Sequence, residues 1–350
     1  MYTEKNRLYA LDTLKGIMIF AVALYHLPNC MHAWEGFKPL GFIYKYGGDL
    51  GNTLFFMLSG LTMCYIYEDK VHALTLRAFV KKRVLSIYDI YLVAGAVGLF
   101  LSFQRSGYAA LNTRDLALSL LMMTTGWVED LYPYNYPTWF ISGLLLDYII
   151  WFVISKYGKN KKWYIYAFMI LLGLSIQKAS LQKPFLYYHT GEAMVPFFEG
   201  CIFYKLWSEK KSQGKRFVPE IAILSCFLAM NIFVSYKVGF DTASWTWKSA
   251  WYAVYAPWMI LAALEIRPIN RLFESKAMVG IFGNISKYVF FWHVPFLYIT
   301  KGVLQKIFPD SANARCIVYL IALFAFCIVY RLIEKSVKRR WKETYARVQA

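Results

Sequence analysis

Ten apolar runs recur along this chain, near residues 12–28, 50–67, 84–103, 138–155, 163–178, 191–207, 217–236, 249–265, 281–300 and 314–333. Each is close to the ~20 residues that an α-helix needs to cross a hydrocarbon core ~30 Å thick. Lipid offers the backbone no hydrogen-bond partner, so a series of such runs folds as a helical bundle. The composition agrees: 58% of the 350 residues are hydrophobic and 19% are aromatic, with a mean hydropathy of +0.38. A water-soluble domain has no use for that much apolar surface. The expectation is an all-α membrane protein of about ten transmembrane helices, one polytopic domain over residues 1–350. The first run is long and no small-residue cleavage site follows it, so it reads as a retained span.

A formal charge of +18 would by itself suit a nucleic-acid partner, but its placement argues otherwise. Segments 1–11, 68–83, 156–162, 208–216, 265–276 and 334–350 hold 24 of the 39 basic residues, and the alternate segments hold 11. That alternation is the positive-inside pattern, with the N-terminus 1–11 and the basic tail 334–350 both cytoplasmic. No nucleic acid is needed; the expected surroundings are membrane lipids. Residues 116–127 are apolar but too short to span, and counting them would move four lysines of 156–162 outside. They read as re-entrant or interfacial on the outer side. The six cysteines lie apart with no paired spacing, which indicates neither a metal site nor a disulfide framework, and they read as small core residues. No metal ligand set is expected.

Polar residues inside the runs carry the chemistry, because each charged one costs ~2.5 kcal/mol or more at mid-bilayer. The first run holds Asp12, Lys15 and His26. Eleven residues at ~100° each bring Lys15 and His26 to one face, roughly 16 Å apart along the axis. Topology sends His26, His189, His293, Asp49, Trp139 and Glu192 to the outer level. Lys15, Lys81, Lys82 and Arg83 fall at the inner one. Glu192 and Glu199 share a face through their seven-residue step, as do Ser286 and His293. A neutral histidine suits general-base work near pH 7, and a Lys/Arg cluster suits phosphates. The bland readings are membrane anchoring for the cations and helix–helix hydrogen bonding for lone polar groups.

Taken together these residues resemble the acyltransferase-3 family of bacterial integral membrane acyltransferases. The likeness rests on Lys15 and His26 in LDTLKG…YH, on GDLGNTLFFMLSG, on PTWFISGLLLDY, on PFFEGCIFY and on GNISKYVFFWHVP. One departure is KKRVLSIYD, where Arg83 matches an Arg-x-x-Arg motif but Ser86 and Asp89 replace the second Arg and a Pro. The resemblance implies transfer of an acyl group, acetyl foremost, from a cytoplasmic acyl-coenzyme A to a hydroxyl of a cell-envelope glycan or lipid-linked saccharide. It implies the bacterial inner membrane, with coenzyme A as donor substrate and no tightly bound cofactor. His26 would be the general base or a transient acyl carrier. Lys15 would stabilise the thioester oxyanion or position the donor, with Asp12 orienting it. Arg83, Lys82 and Lys81 would bind the donor, and His293, Asp49, Trp139, Glu192, Glu199 and Ser286 are acceptor-side candidates. A saccharide carrier or flippase without acyl chemistry, or a scaffold for polysaccharide synthesis, would share the composition.

Overall fold

The computed structural model describes residues 7–27, 38–128, 131–179, 181–238 and 251–349. Cys30, His32 and most of segment 237–248 lie outside the described residues. The described part is 84% helix with no strand. In chain order the principal helices are α1 (Tyr9–His26), α2 (Lys38–Tyr67), α3 (Leu76–Leu85), α4 (Tyr88–Ser106) and α5 (Thr113–Leu120). There follow α6 (Trp139–Tyr157), α7 (Lys162–Ala179), α8 (Tyr188–Ser212), α9 (Val218–Val238) and α10 (Ala256–Glu265). The chain closes with α11 (Arg267–Phe273), α12 (Ser286–Ile307) and α13 (Ala312–Gln349).

Three helical stretches among the described residues are long and apolar enough to cross a bilayer: Ile43–Tyr67, Tyr136–Tyr157 and Ala312–Arg340. A fourth crossing is available if α3 and α4, bent by 54° at their junction, form one broken span. α1, α8 and α12 have 18, 25 and 22 residues, but they carry the polar groups of the site, which dilutes their apolar character. The helix α2 begins twelve residues before the expected span, and α13 runs on through the basic tail to Gln349. Hydropathy marks the part of a helix that lipid favours, not the point where hydrogen bonding stops.

Residues 116–127 are no span. α5 supplies one eight-residue helix, started by the Asn112 side chain accepting from the Arg114 and Asp115 amides. The turns after it are tied down by side chains of α6 and α8. Ser142 takes the Thr124 backbone N–H at 3.2 Å, Trp127 Nε1 donates to the Ser142 carbonyl at 2.9 Å, and Thr190 Oγ1 donates to the Gly126 carbonyl at 3.0 Å.

α8 is the central post. It packs against α2 on one side and α7 on the other, with α6 adding a third contact. α1 lies against α2 and against α12, and α12 carries α4 and α13. The two Phe-Phe…Gly stretches, FFMLSG ending at Gly60 and FFEG ending at Gly200, explain the closest crossing. A Cβ on Gly60 of α2 would strike the Phe197 carbonyl oxygen, and one on Gly200 of α8 would strike that of Met57. Each glycine therefore receives the other helix's backbone, the approach that small residues permit in membrane bundles. Phe56 and Phe197, fully buried beside this crossing, fill the core around it. These motifs are packing devices. Cys64, Cys201, Cys316 and Cys327 are buried as core residues should be, whereas Cys226 is exposed.

Candidate active site

His26 ends α1 and is 8% exposed. Its ring centroid stands 5.2 Å from that of His293 on α12 and 5.8 Å from that of Tyr136. The two histidines are 267 positions apart in the chain, and the packing of α1 on α12 brings them together.

His293 is fully buried and its tautomer is fixed by its surroundings. Nδ1 lies 3.0 Å from the Val289 carbonyl and 2.8 Å from the Phe290 carbonyl, so it carries the proton and donates to both. In the neutral ring Nε2 then keeps a lone pair, and it is buried without a hydrogen-bond partner among the described residues. The turn that holds the ring is itself braced. Pro295 has no N–H, so the helix cannot satisfy the Phe291 carbonyl four residues back. Asn135 Nδ2 donates to that carbonyl at 2.8 Å, and the Tyr319 hydroxyl donates to the His293 carbonyl at 2.6 Å. Asn135→Ala leaves a buried carbonyl bare and is expected to cost about 1–3 kcal/mol, read as a lower melting temperature in detergent. An unchanged melt would remove Asn135 from this role.

Two cavities open at His26, and His26, Tyr25 and Tyr136 line both. The smaller, about 180 Å³, is lined by Asp49, Glu192, His189 and Trp139 among others. The His189 ring lies 4.9 Å from that of Trp139, tilted by 56°, and meets the Tyr132 hydroxyl at 3.2 Å through Nε2. The larger, about 680 Å³, is bounded by α4, α12 and residues 134–136. It falls within the ~300–1,000 Å³ typical of ligand pockets.

Asp49, Trp139, Glu192 and His293 thus gather around His26. Glu199 and Ser286 do not line either cavity. A seven-residue step keeps a helix face but moves two turns, roughly 10 Å, along the axis. That displacement carries Glu199 away from Glu192, and Ser286 away from His293. Glu199 Oε2 is instead buried among the helices without a hydrogen-bond partner among the described residues, as is Oδ2 of Asp147.

The inner groups form a separate cluster. α1 is regular from Tyr9 to His26, so Lys15 stays roughly 16 Å from His26. Asp12 pairs with Arg7 at 2.7 Å rather than directly with Lys15, although its charge still acts there. The charge of Arg83 also reaches Lys15. The Arg83 guanidinium is enclosed by Tyr67, Phe79 and Tyr148 at 4.6, 5.8 and 5.7 Å from their ring centroids. Its Nε is buried and has no hydrogen-bond partner among the described residues. Lys81 and Lys82 are exposed. Sequence reasoning grouped the three as one patch; Lys82 Nζ touches the edge of this cage, 5.8 Å from the Tyr67 centroid, while Arg83 is the one of the three enclosed by all three rings.

A family model described as an acyltransferase domain, Acyl_transf_3, matches residues 8–333, nearly the whole chain. The chain belongs to the acyltransferase-3 family. It is therefore a membrane acyltransferase by family, as its apolar helices agree. No curated protein and no solved structure matches it. Within this acyltransferase-3 chain, reading the sequence missed Tyr25, Tyr136 and Asn135. Asn135 left a trace, since Pro295 inside α12 requires an outside donor for Phe291; the tyrosines left none among 28.

Proposed function

We propose that this chain moves an acyl group, acetyl foremost, from cytoplasmic acyl-coenzyme A to a hydroxyl of a cell-envelope glycan or lipid-linked saccharide. The observation that carries the reading is His26 at the meeting of two cavities, beside a second histidine whose tautomer is fixed. The topology that fits is ten spans in one polytopic domain of a bacterial inner membrane, both termini cytoplasmic.

In this mechanism His26 takes the proton from the acceptor hydroxyl as its oxygen attacks the thioester carbonyl. The C–O bond forms, the C–S bond breaks, and the coenzyme A thiolate recovers the proton from the His26 imidazolium. The ester and a free thiol result. His293, its Nδ1–H held by two carbonyls, is buried beside His26 rather than open to either cavity, and its Nε2 lone pair supports the charged His26 ring. Lys15 is too far along α1 to touch a carbonyl under attack at His26. Of its two expected roles the geometry favours positioning the donor, with Arg83 on the same inner side. Asp49 and Glu192 line the small cavity beside His26.

The test is incorporation. Membranes carrying the chain should transfer label from acetyl-coenzyme A into an alkali-labile ester on envelope glycan, and membranes without it should not. Transport of glycan with no ester formed would overturn the assignment in favour of a carrier.

A further inference from the structure

The larger cavity has an electrostatic character opposite to its neighbour's. The smaller cavity holds the carboxylates of Asp49 and Glu192. The larger has no carboxylate in its lining and one cation, Arg105, near the end of α4. The Arg105 guanidinium carbon sits 4.1 Å from the Tyr298 ring centroid, and Lys301 Nζ sits 4.8 Å from the same centroid. Both cations are exposed, and neither forms a salt bridge among the described residues. Two like charges near one tyrosine repel each other, and an anion bound nearby relieves that repulsion. The rest of the wall suits a sugar. Tyr25, Tyr44, Tyr134, Tyr136 and Tyr298 supply flat faces and hydroxyls, a combination of apolar surface and polar tips that stacks on pyranose rings and bonds their hydroxyls.

Resting on the reading above that His26 takes the acceptor hydroxyl's proton, we propose that this cavity, rather than the smaller one lined by Asp49, Trp139 and Glu192, takes a saccharide bearing an acidic group, carboxylate or phosphate. Arg105 binds the acid and Lys301 assists at the rim. The acid fixes which way the glycan enters and so which hydroxyl reaches His26. An acidic acceptor is also turned away from the carboxylate-lined smaller cavity, which keeps the two spaces distinct in use.

The experiment is equilibrium binding to the purified full chain in nanodiscs, without acyl-coenzyme A. Three probes are compared: a tri-uronate, its carboxyl-reduced neutral counterpart, and a glycosyl phosphate. Wild type should bind one or both acidic probes at least about tenfold tighter than the neutral one, which is about 1.4 kcal/mol. Whether the uronate or the phosphate binds tighter identifies the source of the acid. The preference should fall to within about twofold in Arg105→Gln, survive in part in Arg105→Lys, and shrink with added salt. Equal binding of all three probes by wild type overturns the inference. So does a preference that Arg105→Gln leaves intact, which would place Arg105 at the lipid headgroups instead. Acidic-probe binding lost in Arg105→Gln supports it even if acyl transfer is never found, so the two readings fail separately.

Discussion

Replacing His26 by alanine will lower ester formation on glycan by about 10²–10⁴-fold, the usual contribution of a positioned general acid–base group. Membrane abundance and melting temperature should stay near wild type. His26 ends its helix, has cavities on two sides and fills no part of the tight glycine crossings. Its loss therefore removes chemistry and little packing. If ester formation persists at the wild-type rate with His26→Ala, the histidine has no part in the reaction, and the meeting of the two cavities needs another explanation.

The largest effect on folding is expected at the α2–α8 crossing. Gly60→Leu and Gly200→Leu each drive a side chain into a carbonyl of the opposite backbone, which cannot rotate aside as a side chain would. Overpacking usually costs about 1–3 kcal/mol, and here the cost should reach or exceed the top of that range. The measurement is thermal unfolding in detergent, with recovered membrane protein as a second readout. Gly95→Ala in α4 is the control, because its Cβ would meet nothing within 4 Å and alanine favours the helix by up to about 1 kcal/mol. Wild-type stability for Gly60→Leu would contradict the crossing geometry.

How much of this was legible in the sequence depended on the range of the interaction. The shared face of Lys15 and His26 follows from helical period alone, and α1 is regular over that whole stretch. The helical class follows from the apolar runs. Depth was harder. Glu199 and Ser286 share faces with site residues but stand two turns away, and face periodicity is blind to that displacement. Pairing across the chain was harder still, since nothing local in the α1 or α12 sequence announces that His26 meets His293. The FFMLSG and FFEG stretches were visible as patterns, but their purpose needs both helices at once, each glycine admitting the other's carbonyl. Arg83 shows the same limit: its neighbours Lys81 and Lys82 look equivalent in sequence, and only the positions of Tyr67, Phe79 and Tyr148 set it apart.

The most direct test of the account is thiol release from acetyl-coenzyme A by the purified full chain in nanodiscs, with and without envelope glycan. The account predicts release that rises when glycan is added and that disappears in His26→Ala at equal protein. Glycan binding with no thiol released from acetyl- or succinyl-coenzyme A, by wild-type protein shown to be folded, would contradict it.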